Sequence, residues 1–181
     1  MKEKILILAY MGTGKTWCEQ KYSNIFDFDF QDFKFVYDKS IAHLPLEQRK
    51  GNVALRTENP AYPKNWISAL LDKLENEENI VTVPFIDHVF DAVNSDLFKT
   101  KAKDVRVILA APRRDNFDEY IERFKSRGNS DGFIERRSKE WPTLSDLFEN
   151  SENYEKITLR PNQFLDDALI THGIALTPKL C

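Results

Sequence analysis

"LILAYMGTGKTW" (residues 6–17) carries a nearly continuous apolar stretch straight into a turn that packs two glycines, two threonines and a lysine into five positions. From Ala9 to Thr16 it follows the phosphate-loop pattern G-x-x-x-x-G-K-[ST] at every fixed position except the first, where alanine replaces glycine. Residues 4–9 (KILILA) have the composition of a parallel strand covered on both faces, and a helix is expected from Lys15 to Lys21. In such a strand, loop and helix, successive backbone N–H groups and the helix dipole point at phosphate oxygens. Gly12, Thr13, Gly14, Lys15 and Thr16 therefore form the expected ATP cradle. Lys15 is placed to reach the β- and γ-phosphates and the Thr16 hydroxyl to hold Mg²⁺. Side chains at positions 12 and 14 would obstruct the turn. Ala9 belongs to the last step of the strand. Its methyl group is costly, by about 1 kcal/mol or more, only if the turn demands a positive φ there.

Outward from this turn, strand and helix alternate to the end of the chain. "NIFDFDFQDF" (24–33) alternates Phe with polar residues and reads as a second strand, whereas 38–59 is polar and weakly periodic. Trp66, Ile67, Leu70, Leu71 and Leu74 recur at helical spacing after Pro63, which suits a first helical turn. "NIVTVPF" (79–85) predicts a third strand, 89–98 a helix and "VRVILAAP" (105–112) a fourth strand. Phe117, Tyr120, Ile121 and Phe124 mark an amphipathic helix that stops at Gly128. A further helix over 130–141 is expected to break at Trp141-Pro142 and resume through Leu144, Leu147 and Phe148. "EKITLR" predicts a fifth strand and 162–171 a closing helix. This order predicts an α/β fold: a five-stranded parallel sheet with helices on both faces, binding its ligand beyond the carboxyl ends of the strands.

The 181 residues suffice for one sizeable core, and no Gly/Ser or Pro-rich linker divides them, so a single domain over 1–181 is expected. The 13 Phe make the apolar part unusually aromatic. The net charge of −3 speaks against a general nucleic-acid binder, which would show a basic stripe. No apolar run approaches the ~18 residues of a membrane helix, so no membrane association and a cytoplasmic location are expected. The two cysteines, Cys18 and Cys181, suggest neither a disulfide framework nor a metal site, and reduced thiols are expected.

Asp27 and Asp29 are two apart, so on an extended segment they share a side opposite Phe26, Phe28 and Phe30. Beside the first strand, both would emerge near the phosphates: Asp27 to help hold Mg²⁺, Asp29 to orient an acceptor hydroxyl or take its proton. A solvent-facing edge strand would explain the same pattern. Asp87, after strand three, is a candidate metal carboxylate and equally a candidate helix cap. Six of the ten arginines fall between positions 113 and 137. Arg123 and Arg127, at i and i+4, share a helix face and precede "GNSDG", as on the arginine-bearing edge of a lid that would stabilise charge on a moving phosphoryl group. Arg113 sits just past strand four, at the ligand-binding rim. Arg136 and Arg137 are weaker candidates. A surface pair between Arg123 and Glu119 is the alternative.

With "GTGKT", "DFDFQDFKF", "NPAYPKNWI" and "EYIERFKSRGN…FIERRSKEW" in place, the chain resembles a family of small P-loop proteins of phages and low-GC bacteria, themselves similar to nucleoside monophosphate kinases. The Asp-x-Asp after strand two also resembles that of shikimate-kinase-like enzymes. The resemblance implies a kinase-type sheet of order 2-3-1-4-5, an acceptor-binding segment around 38–75 and a lid around 127–140. The chain has no cysteine-rich zinc lid and no Asp-Arg-Tyr/His motif after strand three. The expected activity is ATP- and Mg²⁺-dependent phosphoryl transfer to a small acceptor, foremost a nucleoside or deoxynucleoside monophosphate, with Tyr62, Trp66 or Arg56 lining its pocket. The alternatives are a nucleotide-binding regulatory or interaction protein with little turnover, and a small-molecule hydroxyl kinase of the shikimate-kinase-like type.

Overall fold

A computed structural model describes residues 3–49, 51–76 and 79–180. Its main sheet is built from β1 (Lys4–Ala9), β2 (Ile25–Asp27), β5 (Ile80–Pro84), β6 (Val105–Pro112) and β7 (Glu155–Leu159). These strands lie in the order β2-β5-β1-β6-β7, and all four neighbouring pairs are parallel. Counted along the chain within this sheet alone, the order is the expected 2-3-1-4-5.

From Ile5 to Ala9 the central strand β1 is apolar at every step because it is covered on both faces. Leu6, Leu8 and Tyr10 enter one core with Trp66, Val83, Phe85, Tyr120 and Trp141. Ile5, Ile7 and Ala9 enter the other with Cys18, Ile80, Ile108, Leu165 and Leu169. Fully burying a residue of the Leu/Ile class contributes about 1.5–3 kcal/mol, so this one strand anchors both layers. The register Leu8 to Val83 and Leu8 to Leu109 keeps the three central strands level, so they end along one edge. α1 (Lys15–Lys21) starts from that edge through the glycine turn.

Several elements differ from the sequence reading. The second strand ends at Asp27, and the chain turns through Phe28–Phe30 into the one-turn helix α2 (Gln31–Lys34). The Asp29 carboxylate accepts from the Gln31 amide at 2.8 Å, a local bond of the kind that competes with a strand ladder. Asp27 and Asp29 thus do not share one extended face. Residues 35–58 hold a separate antiparallel ribbon, β3 (Phe35–Tyr37) with β4 (Arg56–Glu58), and the short helix α3 (Leu46–Arg49) between them. Elements of three or four residues are too short to show a period.

α4 (Lys64–Asn76) follows as expected. The helix expected over 89–98 is two helices, α5 (Asp87–Asn94) and α6 (Asp96–Lys101). Ser95 separates them and caps the second by accepting from the Phe98 amide. α7 (Phe117–Ser126) ends before Gly128, whose φ is 72°. α8 (Asp131–Asn150) runs through Pro142 without a break. A proline inside a helix costs about 3 kcal/mol or more. Here Trp141, Leu144 and Phe148 are buried and the Trp141 indole donates to the Arg114 carbonyl at 3.0 Å, which holds both halves to the core. α9 (Leu165–Thr171) begins three residues later than expected, after Asn162, whose φ is +60°.

Cys18 is a buried free thiol, pushed up to about 12 by burial, with Asp166 adding to the shift. Cys181 lies outside the described residues. No described helix is long and apolar enough to cross a membrane.

Candidate active site

The turn between β1 and α1 is shaped by left-handed glycines and tied to three other elements. Gly12 (φ 83°) and Gly14 (φ 100°) adopt a backbone that side chains rarely enter. A Cβ on Gly12 would lie 3.1 Å from the Phe124 ring, and one on Gly14 3.2 Å from the Phe164 ring. Ala9 carries no such demand. Its φ is not positive, its methyl is buried among Ile5, Ile7 and Ile108, and its carbonyl accepts from the Phe85 amide at 3.0 Å. The backbone at position 9 therefore makes no demand for glycine.

Within the turn, the Thr13 hydroxyl donates to the Tyr10 carbonyl at 2.8 Å, and the Thr13 carbonyl accepts from the Leu165 amide at 2.8 Å. Lys15 reaches back over the loop, its Nζ 3.2 Å from the Ala9 carbonyl and 3.4 Å from that of Tyr10. Burial lowers its ammonium from the ordinary lysine value. Asp27 and Asp29 oppose that shift, and Arg127 adds to it. The Ala9 and Tyr10 carbonyls hold this ammonium in place, and among the described residues no carboxylate hydrogen-bonds it.

At the mouth of the cradle the Thr16 hydroxyl donates to Asp27 at 2.7 Å, and the Thr82 hydroxyl reaches the other Asp27 oxygen at 3.3 Å. Neighbouring β2 and β5 therefore bring a carboxylate to the threonine at the start of α1. Asp29 lies beyond the strand, close enough for its charge to be felt at Lys15, with its carboxylate on the Gln31 amide. Asp87 takes neither role cleanly. It is exposed in the first turn of α5 behind the N-cap Ile86, and among the described residues it makes no hydrogen bond or ion pair with Thr16, Lys15 or Asp27. Among the described residues no three His, Cys, Asp or Glu side chains gather as a metal cage. The Thr16 hydroxyl and the Asp27 carboxylate are oxygen donors of the kind Mg²⁺ takes, commonly one or two together with water and substrate phosphates.

The arginines divide sharply. Arg123 faces inward from α7. Its Nη1 donates to the Gly12 carbonyl at 3.1 Å and its Nη2 to the Gln163 carbonyl at 3.1 Å. It also pairs with Glu119, and its guanidinium lies 4.2 Å from the Phe164 ring centroid. It braces the back of the phosphate loop. Arg127 is exposed at the end of α7, its charge is felt at Lys15, and among the described residues its side chain has no ion-pair partner. Arg113 is exposed at the end of β6 and paired with Asp115 at 2.6 Å. Arg136 is exposed on α8. Arg137, a weak candidate by sequence, is only 8% exposed. It pairs with Glu140 at 2.7 Å and places its Nη1 3.7 Å from the Met11 sulfur, against the phosphate loop.

The sequence reading missed the segment between β7 and α9. Gln163, Phe164 and Leu165 contact Arg123, Gly14 and Thr13 respectively, closing one flank of the cradle. The exposed aromatic ring of Phe164 just before α9 was the available signal. Of the proposed acceptor residues, Tyr62 is half-buried, Trp66 is fully buried, and Arg56 stacks on Phe35 at 3.8 Å in the ribbon.

No protein-family model and no curated protein matches this sequence. Among solved structures, a gluconokinase from Sinorhizobium meliloti 1021 is similar, with a TM-score of 0.50 over 93% of this chain and 88% of that one, at 13% sequence identity. At that identity the likeness concerns the fold: a parallel sheet flanked by helices, as in that kinase.

Proposed function

We propose that the chain is an ATP- and Mg²⁺-dependent phosphotransferase acting on a small acceptor. The observation that carries this reading is the Thr16–Asp27 pair at the mouth of an intact glycine turn. A strand-to-helix turn alone would account for the glycines. It would not account for a carboxylate from β2, two strands away in the sheet, held on the one hydroxyl that faces a bound metal in this type of loop. Bound Mg²⁺ would supply charge neutralisation across the β- and γ-phosphates. Thr16 and Asp27 would hold it, the amides of residues 12–16 would hold the phosphates, and Lys15 would exchange its carbonyl contacts for phosphate oxygens. Arg123 keeps the loop in shape from behind, and Arg127 is the arginine free to close on the transferring group.

In the transfer, an acceptor oxygen forms a bond to the γ-phosphorus while the bond to the β–γ bridging oxygen breaks and ADP leaves. If the acceptor atom is a hydroxyl, Asp29 receives its proton. A nucleoside or deoxynucleoside monophosphate and a small hydroxy compound of the shikimate or gluconate type both suit this chemistry, and the gluconokinase likeness supports the second about as well as the first. The segment 38–75 would bind the acceptor, and the first half of α8 would serve as the lid.

Incubating the protein with Mg-ATP and a panel of nucleotides, sugars and hydroxy acids should yield ADP in proportion to one new phosphorylated product. ATP binding with no acceptor-stimulated ADP release would leave a nucleotide-binding protein without this activity.

A further inference from the structure

Beside the phosphate loop, α2, the start of α4, the start of α5 and α8 meet around two rings, Tyr62 and His88. The His88 ring packs edge-on against Phe30 at 4.6 Å and lies 6.0 Å from Tyr62, which is 6.4 Å from Trp66. Lys34 Nζ sits 5.7 Å from the Tyr62 centroid, and its nearest described carboxylate is the exposed Glu58, 3.9 Å away. Arg137 closes the side nearest Met11 and is held by Glu140. Its charge is felt at His88, as is that of Lys34. Asp87, next to His88, is exposed.

Four buried polar atoms of this group, Tyr62 Oη, Trp66 Nε1, His88 Nε2 and Arg137 Nε, have no hydrogen-bond partner among the described residues. Buried polar groups are nearly always paired, and each orphan costs about 1–3 kcal/mol. Indole and guanidinium N–H groups can only donate, so whatever satisfies them must accept. These atoms belong to neighbouring rings flanked by the charges of Lys34 and Arg137, and such a setting suits an acceptor that is also negatively charged.

We propose that this pocket, bounded by Phe30, Lys34, Tyr62, Trp66, His88 and Arg137, holds an oxyanion carried by the phosphoryl acceptor. The substrate is then an already anionic small molecule, a phosphate ester or a carboxylate, and not a neutral nucleoside or sugar. The proposal rests on the phosphotransferase reading for calling that molecule the acceptor, but the pocket's preference for anions can be measured without turnover.

The test is calorimetric binding to the full chain saturated with a Mg-bound, non-hydrolysable ATP analogue, which fills the phosphate loop. The probes are inorganic phosphate, AMP and gluconate against adenosine and glucose. At least one organic anion should bind ten times or more tightly than its neutral counterpart. Lys34→Met should erase most of that preference while leaving the neutral ligand's affinity unchanged. Tyr62→Phe, which removes only the hydroxyl, should weaken the anion several-fold and serves where Arg137→Met fails to fold. AMP and gluconate arms tell a phosphate from a carboxylate. Equal binding of charged and neutral partners, absence of binding by all three anions, or an anion preference that survives both Lys34→Met and Tyr62→Phe would overturn the proposal. Anion preference without ADP formation on any acceptor would keep the pocket and remove the kinase. ADP formation on neutral acceptors alone would do the reverse.

Discussion

The two ends of the proposed reaction are built by opposite means. On the donor side, the phosphate loop is fixed by backbone: Tyr10 on Ala110, Phe85 on Ala9, Leu165 on Thr13, with every main partner an element of the sheet or its flanking helices. On the proposed acceptor side, the described part of 28–62 forms two one-turn helices, a 3-10 turn, a ribbon of two three-residue strands and connecting turns, and buried donors around Tyr62 and His88 have no partner among the described residues. The loop's backbone contacts are thus made without ligand, although the buried Tyr10 and Tyr120 hydroxyls beside it also have no partner among the described residues. The proposed acceptor side has fewer backbone ties to the sheet and the larger group of unpartnered atoms. A change on the donor side should therefore act on ATP directly or on stability, and a change on the acceptor side should act on selection of the second substrate.

The sharpest break in that contrast is Lys15→Ala. Among the described residues its ammonium hydrogen-bonds only the Ala9 and Tyr10 carbonyls, so the fold should survive while ATP affinity falls by roughly 100-fold, the loss of one or two charge-assisted bonds. Calorimetry with Mg-ATP measures it, and unchanged affinity would remove the cradle from the account. Arg123→Met comes next. It deletes two carbonyl contacts and an ion pair that is mostly buried, so urea unfolding should show a loss of about 2–3 kcal/mol, with weaker ATP binding following from the loosened loop. A fall in turnover at unchanged stability would instead make Arg123 a lid arginine.

The acceptor side has its own signature in pH. Burial depresses His88 to about 4, with the charges of Lys34 and Arg137 adding to the shift. The unfolded chain binds a proton between pH 6.5 and 4 that the folded one does not, so stability falls as pH drops through that window, by about 1–2 kcal/mol after allowance for partial exposure. His88→Gln should flatten this slope in urea midpoints measured across the window. The smallest effect belongs to Arg113→Ala. An exposed pair with its near neighbour Asp115 contributes within about 0.5 kcal/mol, and ATP affinity should change by less than about twofold. A tenfold loss would return Arg113 to the nucleotide site.

The same contrast explains what the sequence made legible. β1, β5 and β6 are buried on both faces along most of their length, so each is written as a mostly apolar run broken only at Lys4, Thr82 and Arg106. The sheet and the glycine turn could therefore be read in advance, whereas the strand order came from the family resemblance. The ribbon β3–β4 leaves no such trace, because three residues cannot display alternation. Asp27 and Asp29 looked equivalent because periodicity cannot show that the second carboxylate captures a backbone amide and ends the strand. Pro142 looked like a break because the tertiary anchor of Trp141 on Arg114 lies outside any local window. The arginines are ranked by spacing, with Arg123 and Arg127 ahead of Arg136 and Arg137. Spacing shows which residues share a helix face and does not show which face meets the phosphate loop, so neither the burial of Arg137 beside Met11 nor the contacts of Gln163 and Phe164 could be read from it.

The central claim is that Asp27, held by Thr16, serves the metal of a bound nucleotide. ATP affinity measured with and without Mg²⁺, in the wild type and in Asp27→Asn, tests it directly. The account predicts that Mg²⁺ strengthens ATP binding in the wild type and that Asp27→Asn loses most of this gain while its metal-free affinity is kept or improved. An equal Mg²⁺ effect in both proteins would contradict it.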